Sequence, residues 1–282
     1  TIMMHARIAV GSEEIDRGGR PFGMSGLPLI GNVVLLLRDP LVFLDGLVRE
    51  HGDVARFRVL GDQVVLFSHP DAIEQLLVTE RDKVIKDAST RMLSILLGNG
   101  LLVSEGTFWK KQRRLSQPAF HRQRVEAYGA VMVRDTERLA ARFRPGETRD
   151  IHRDMMALTL DIVAETLFGM SLAEESRRIE QALSTLMDRF AGMGSVIPLG
   201  WPTPGNARAK KAIADLDAIV FDMIAKRRAS GDTGDLLSML IAATSDEDGG
   251  DAGERMTDRQ LRDEAVTLLL AGHATTALPL TS

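Results

Sequence analysis

The segment Thr257–Ala277, TDRQLRDEAVTLLLAGHATTA, decides how this sequence is read. Thr257 and Gln260 have the spacing of a capping box, in which hydroxyl and amide side chains satisfy each other's free backbone N–H groups and start a helix. Leu261, Ala265, Leu268, Leu269 and Gly272 then fall at helical spacing, so Ala271–Thr276, AGHATT, is predicted to lie on a helix and not in a loop. Pro279 lacks the N–H that would bond the Thr275 carbonyl, and its ring crowds that oxygen, so the helix is predicted to kink or end there. Taken alone, A-G-x-x-T-T also suits a helix that is simply packed through small residues.

Around this segment the composition is that of an ordinary globular protein: 282 residues, 44% hydrophobic, with a formal charge of −4. That balance offers no basic field for nucleic acid or an acidic membrane surface. No window reaches the roughly 18 consecutive apolar residues of a membrane span, and the charged start carries no leader pattern, so a cytoplasmic protein is expected. The absence of cysteine excludes disulfides, cysteine-ligated metal centres and thiol catalysis by these residues. The six histidines show no H-x-x-x-H or H-E-x-x-H spacing, so no zinc site is expected. The 13 methionines suggest a pliable interior.

The fold class read from the chain is mainly α with a small β-sheet. Residues 1–20 lack a sustained apolar period and read as a tail; 21–282 read as part of one domain without a dividing linker. After the Pro- and Gly-rich Pro21–Asn32 come a helix over Leu41–His51 and alternating strands with a hairpin turn over Val54–Phe67. His69-Pro70-Asp71 opens a helix to about Val78. Further helices are predicted over Arg122–Phe143, with Val125, Tyr128, Met132, Leu139 and Phe143 on one face, and over Ile151–Phe168, stopped by Gly169. Ala173–Met193, Asn206–Arg228 and Asp235–Ala243 complete the helices before a solvated acidic loop, TSDEDGGDAGER.

The second strong signal is Gly106–Phe120, GTFWKKQRRLSQPAF. Trp109 and Arg113 stand four apart, on one helix face, where an indole N–H and a guanidinium offer neutral and charged donors to one carboxylate. In isolation the pair would sooner suit an interfacial tryptophan beside a solvent-facing arginine.

Taken in order, GLPLIGN, the Val54–Phe67 hairpin, the W-x-x-x-R helix, TLDIVAETLFGMSL and AGHATT resemble the cytochrome P-450 family, in its soluble bacterial branch. The resemblance runs from about Pro21 to Leu278. It implies the N-terminal part of a single P-450 domain, ending in the central oxygen-binding helix. The implied activity is that of a haem-dependent monooxygenase, served by a ferredoxin or reductase and acting on a lipophilic substrate. Trp109 and Arg113 match the pair that reaches the haem propionates; Ala271 and Gly272 would let the haem and its oxygen approach the helix backbone. Thr275 matches the alcohol that assists proton delivery. The family's acid just before it is here Ala274, which cannot accept or relay a proton. Lys86–Gly100 and Gly194–Gly205 correspond to regions that cover the substrate, and their apolar side chains suit either a lipophilic guest or plain loop anchoring.

The family's Glu-x-x-Arg pair and F-x-x-G-x-x-x-C loop belong after the oxygen helix, and these residues stop before either. The resemblance therefore implies no activity by this stretch alone, and instability from uncovered apolar surface. Haem ligation by His273 or His121 is the conceivable substitute. The alternative function is a non-catalytic remnant or a helical module that binds haem or a lipophilic ligand without turnover.

Overall fold

The structure is a computed structural model of the chain and describes residues 2–5, 31–172, 174–191, 197–242, 244–245 and 254–281. Most of the Pro21–Asn32 opening and much of the acidic loop lie outside these residues. The chain divides into two compact units, Thr1–Ser89 and Thr90–Ser282.

The first unit is a three-stranded antiparallel sheet with helices. It comprises β1 (Ile2–His5), α1 (Val33–Arg38), α2 (Pro40–His51), β2 (Val54–Val59), β3 (Asp62–Phe67) and α3 (Pro70–Glu74). β2 and β3 form the expected hairpin, with Val59 opposite Asp62. The two turn residues, Leu60 and Gly61, both take positive φ (50° and 88°), as tight primed hairpin turns require. In β1, Ile2–His5 pairs with β3 along Ile2↔Phe67 to His5↔Val64; residues 6–20 of the expected tail lie outside the described residues. Alternation along β2 and β3 turns Ala55, Phe57, Val64 and Leu66 onto Phe43 and Leu47 of α2. Phe43 and Phe57 meet edge to face at 5.3 Å.

A short helix, α4 (Ala88–Met92), leads to the second unit, which is helical. In order it holds α5 (Ser94–Leu97), α6 (Gly106–Ser116), α7 (Arg122–Ala140), α8 (Ile151–Phe168), α9 (Ser176–Ala191), α10 (Pro204–Ser230), α11 (Leu236–Ala242) and α12 (Asp258–Thr281). α8 starts at Asp150, whose carboxylate accepts from Arg153 N (3.1 Å), and stops at Gly169 with φ 59°. Its fully buried Leu160, Ala164 and Phe168 join Leu216, Val220 and Ile224 of α10 and Leu261, Ala265 and Leu269 of α12 in one core. Arg227 and Asp235, both nearly inaccessible and 2.8 Å apart, tie the end of α8 into this core. Arg227 Nη2 also donates to the Phe168 carbonyl (2.6 Å), satisfying one of the carbonyls a helix end leaves free.

Three local expectations change. α7 ends at Ala140 and turns Tyr128, Val131, Asp135 and Leu139 inward, leaving Val125, Met132 and Phe143 exposed. The acidic loop is pinned at its ends, where β4 (Thr244–Ser245) and β5 (Glu254–Arg255) pair antiparallel. α12 passes through Pro279 to Thr281 instead of ending there. Pro279 withholds the amide that would bond the Thr275 carbonyl, and the helical backbone continues past it. Thr281 Oγ1 donates to the Leu278 carbonyl (3.0 Å) and holds that turn closed.

Candidate functional site

α12 begins as read from the sequence. Thr257 N donates to Gln260 Oε1 (2.7 Å) and Gln260 N to Thr257 Oγ1 (3.2 Å), the two halves of a capping box. From Leu261 to Leu269 every residue is buried, including Arg262, Asp263, Glu264 and Thr267. The helix emerges from the core only after Leu270, and AGHATT lies at that exit.

There the two sides of the helix differ. Ala271 and Thr275, one turn apart, are exposed, as is Leu278 beyond them. The Thr275 hydroxyl donates to the Ala271 carbonyl of its own helix. Its lone pairs remain on the open side, available to a further donor. Ala274 is half-buried and brings no charge to that side. On the other side Gly272 faces α8: a Cβ built on it would stand 2.6 Å from Val163 Cγ2. Its missing side chain lets α12 and α8 pack closely.

His273 is wholly buried on the α8 side. Thr159 Oγ1 donates to its backbone carbonyl (3.2 Å). Burial pushes the imidazole below its ordinary pKa of 6.5; the Met156 carbonyl opposes that shift and His152 adds to it. A ring enclosed there cannot reach the exposed face carrying Thr275. His121 is exposed at the start of α7. No group of three or more His, Asp or Glu side chains is placed to hold a metal among the described residues.

α6 carries the second part of the site. Trp109, Gln112, Arg113 and Ser116 stand at helical spacing and share one side. The Arg113 guanidinium carbon lies 5.1 Å from the centre of the Trp109 ring, so the pair stacks as a cation on an aromatic face. Arg113 is exposed and forms no ion pair among the described residues, while Trp109 is half-buried. The amide of Gln112, inaccessible to solvent, has no hydrogen-bond partner on either atom, nor does the buried Ser116 hydroxyl. Sequence reading missed these two: a glutamine between Lys111 and Arg113, and a serine beside Gln117, carry no sign of burial in the sequence. α11 packs against both α6 and α12 and links the two parts of the site.

In the second predicted cover, Asn206 Nδ2 donates to the Pro198 and Trp201 carbonyls (both 2.9 Å), so the loop is held by α10 while Trp201 remains 62% exposed. A polar cavity of about 200 Å³ between α7 and α8, lined by Asp135, Arg138, Arg149, Asp154, Asp161 and Glu165 among others, touches none of the predicted site residues. Burial and the neighbouring Asp135 raise the pKa of Asp161 there.

The sequence model of the family described as Cytochrome P450 matches residues 21–282. Among curated relatives, "Cyclooctatin synthase" of Streptomyces melanosporofaciens is 36% identical over 91% of this chain and 56% of its own length. "Cyclooctat-9-en-7-ol 5-monooxygenase" of the same organism is 39% identical over 89% of this chain and 54% of its own length. "Pentalenene oxygenase" of Streptomyces avermitilis is 33% identical over 90% of this chain and 56% of its own length. Of solved structures, the retinoic acid-bound cyanobacterial CYP120A1 superposes with a TM-score of 0.74 at 23% identity, over 92% of this chain and 57% of its own, a likeness of fold. The chain thus spans little more than half the length of the relatives it matches. With the α6 pair and the α12 segment in the family's order, and the family match running through both, the chain belongs to the cytochrome P450 family.

Proposed function

We propose that this chain is the N-terminal, oxygen-helix part of a haem-dependent monooxygenase that acts in the cytoplasm. Its substrate is lipophilic, of the kind named in its Streptomyces relatives, and its electrons come from a ferredoxin or reductase. The observation that carries the reading is the paired exposure of two edges. Arg113, without a carboxylate partner among the described residues, stands stacked on Trp109, and the small-residue and hydroxyl edge Ala271–Thr275 is open on α12.

These residues fit two parts of a haem site. An unpaired guanidinium stacked on a half-buried indole suits a carboxylate that arrives with a flat apolar ring, because the ring covers the apolar edge while the charge is neutralised. On α12, Ala271 and Thr275 offer a side free of bulk, with one hydroxyl. The chain has no cysteine, so none of its residues supplies a thiolate. Bound haem supplies the oxygen-activating chemistry. In this proposal Trp109 and Arg113 hold its propionates, Ala271 leaves room over its face, and Thr275 holds a proton near that face. Gly272 acts one step removed, by setting the distance between α12 and α8. His273 stays neutral within the helix seam and takes no part in proton transfer.

A second reading rests on Ala274. With no carboxylate before Thr275, the same edges suit a module that binds haem or a lipophilic ligand without turning it over. Both readings share the propionate contact, and that contact is testable on this chain. In a Trp201→Phe background Trp109 is the sole tryptophan, and its fluorescence reports haemin binding. Haemin should bind more tightly than its dimethyl ester, and Arg113→Ala should remove that preference, a loss of about tenfold for one charge-assisted contact. Equal affinity for the two porphyrins in the parent chain would contradict the assignment.

A further inference from the structure

The first turns of α12 hold more charge than a buried helix needs for packing. Arg262, Asp263 and Glu264 are consecutive, and each is 6% exposed or less. Arg262 faces α10 and α5. Its Nε donates to Asp217 Oδ1 (2.6 Å) and its Nη1 to the Leu96 carbonyl (2.7 Å) and to Asp263 Oδ1 (3.1 Å). The two acids reach across to the segment between α5 and α6. Asp263 Oδ2 accepts from the backbone N–H of Asn99 (2.9 Å), and Glu264 Oε2 from that of Leu101 (3.1 Å).

The segment has been shaped to receive them. Gly98 has φ +55°, and a Cβ on it would overlap the Asp263 carboxylate; a Cβ on Gly100 would overlap the Thr267 hydroxyl. Thr267 Oγ1 in turn donates to the Asp263 carbonyl (2.7 Å). Immediately afterwards the Gly100 carbonyl accepts from both Val103 N and Ser104 N (2.9 Å each), a tight turn that delivers the chain to α6. The position of α6 is thereby tied to the oxygen helix by two buried carboxylates, of which Asp263 is itself held by Arg262.

We propose that Asp263 and Glu264 are positioning residues: by holding Gly98–Leu101 they set where α6 presents Trp109 and Arg113 to the bound cofactor. The proposal rests on the haem reading above for its functional consequence, and on the geometry of this segment for its mechanism. Neither acid touches the cofactor. Both act through two backbone amides, and an acceptor oxygen at the right place is the property that matters.

The test uses the 282-residue chain carrying Trp201→Phe. Asp263→Ala and Glu264→Ala remove the acceptor, whereas Asp263→Asn and Glu264→Gln keep one oxygen in nearly the same place. Leu216→Ala, in the α10 core, serves as a control that lowers stability without touching the segment. Acrylamide quenching of Trp109 and haemin titration are read on every variant, with helical circular dichroism confirming folding. The alanine variants should quench about twice as readily and bind haemin about tenfold more weakly, and the amide variants should stay close to the parent. Leu216→Ala should lower the unfolding midpoint and leave both readouts unchanged.

Parent-like quenching in folded alanine variants, or the same change in Leu216→Ala, overturns the proposal. If the alanine variants fail to fold, amide exchange in the Asn and Gln variants decides. A weaker neutral acceptor should speed exchange at Asn99 and Leu101 ahead of the other core amides, and uniform exchange overturns the proposal. If the parent binds no haemin, the haem reading fails; the acrylamide and exchange results still decide whether the two acids position α6.

Discussion

At Gly272 the absence of one methyl group sets how closely two helices approach. Its nearest neighbour across the seam, Val163 Cγ2, would lie 2.6 Å from an added Cβ, which is too close for either helix to stay where it is. Gly272→Ala should therefore destabilise the fold by about 1–3 kcal/mol in urea unfolding, the range of an overpacked core. Val163→Ala in the same chain should recover most of that loss. One residue along, His273 gives the seam a pH dependence. Its folded pKa lies below the ordinary 6.5, so the unfolded chain takes up the proton first as pH falls. The stability it permits is complete above about pH 6.5 and declines as pH drops through the lowered folded value. His273→Gln should flatten the fall in unfolding free energy between about pH 7 and pH 5; an unchanged slope would show that the imidazole is not the group responsible. The sequence marked both positions through AGHATT but not their direction, since side-chain direction on a helix depends on which neighbours lie where.

Among the elements, the helices whose ends carry their own chemistry were the legible ones. Thr257 and Gln260 started α12 and Gly169 stopped α8 as read from the sequence, whereas the Thr203 cap on Asn206 N (3.1 Å) was not read, and α10 starts at Pro204, ahead of the expected Asn206. Thr257→Ala should cost about 1 kcal/mol, seen as a lower thermal midpoint, because it removes one half of the reciprocal cap. α7 was harder to read. Its apolar residues form two partial stripes, and the inward one includes the buried Asp135, whose carboxylate pairs with the exposed Arg134 and Arg138. The buried ions of α12 and the Arg227–Asp235 pair were likewise hidden, because charges spaced along a helix ordinarily mark its solvated side. The Gly98-Asn99-Gly100 doublet was the available clue to the first of these. Asp235→Ala should be the most damaging single change outside the apolar core, about 3–5 kcal/mol in denaturant unfolding, since it strands the Arg227 guanidinium in a site that excludes water.

For the molecule as a whole, the mainly helical class, the small sheet and the family were all legible, because they depend on the order of several motifs and not on any one contact. The pairing of Ile2–His5 with β3 was not legible, since a four-residue strand at a chain start has too few residues to display a period. The second unit leaves a set of large apolar side chains in water: on α12, Leu278 is 58% and Leu280 53% exposed, and Phe120 and Val133 are similarly open. On α12, Leu278 and Leu280 stand two residues apart and offer apolar area for self-association at rising concentration. Leu278→Lys with Leu280→Lys should lower binding of an apolar fluorescent dye and increase the monomer recovered by size exclusion. The central claim is that this chain carries the propionate-holding and oxygen-helix parts of a P450 site but no residue able to ligate iron as a thiolate. Reduction of the purified chain with haemin and dithionite under carbon monoxide tests it most directly. The account predicts a Soret band without the red shift of a thiolate-ligated haem, and the appearance of that red-shifted band would contradict it.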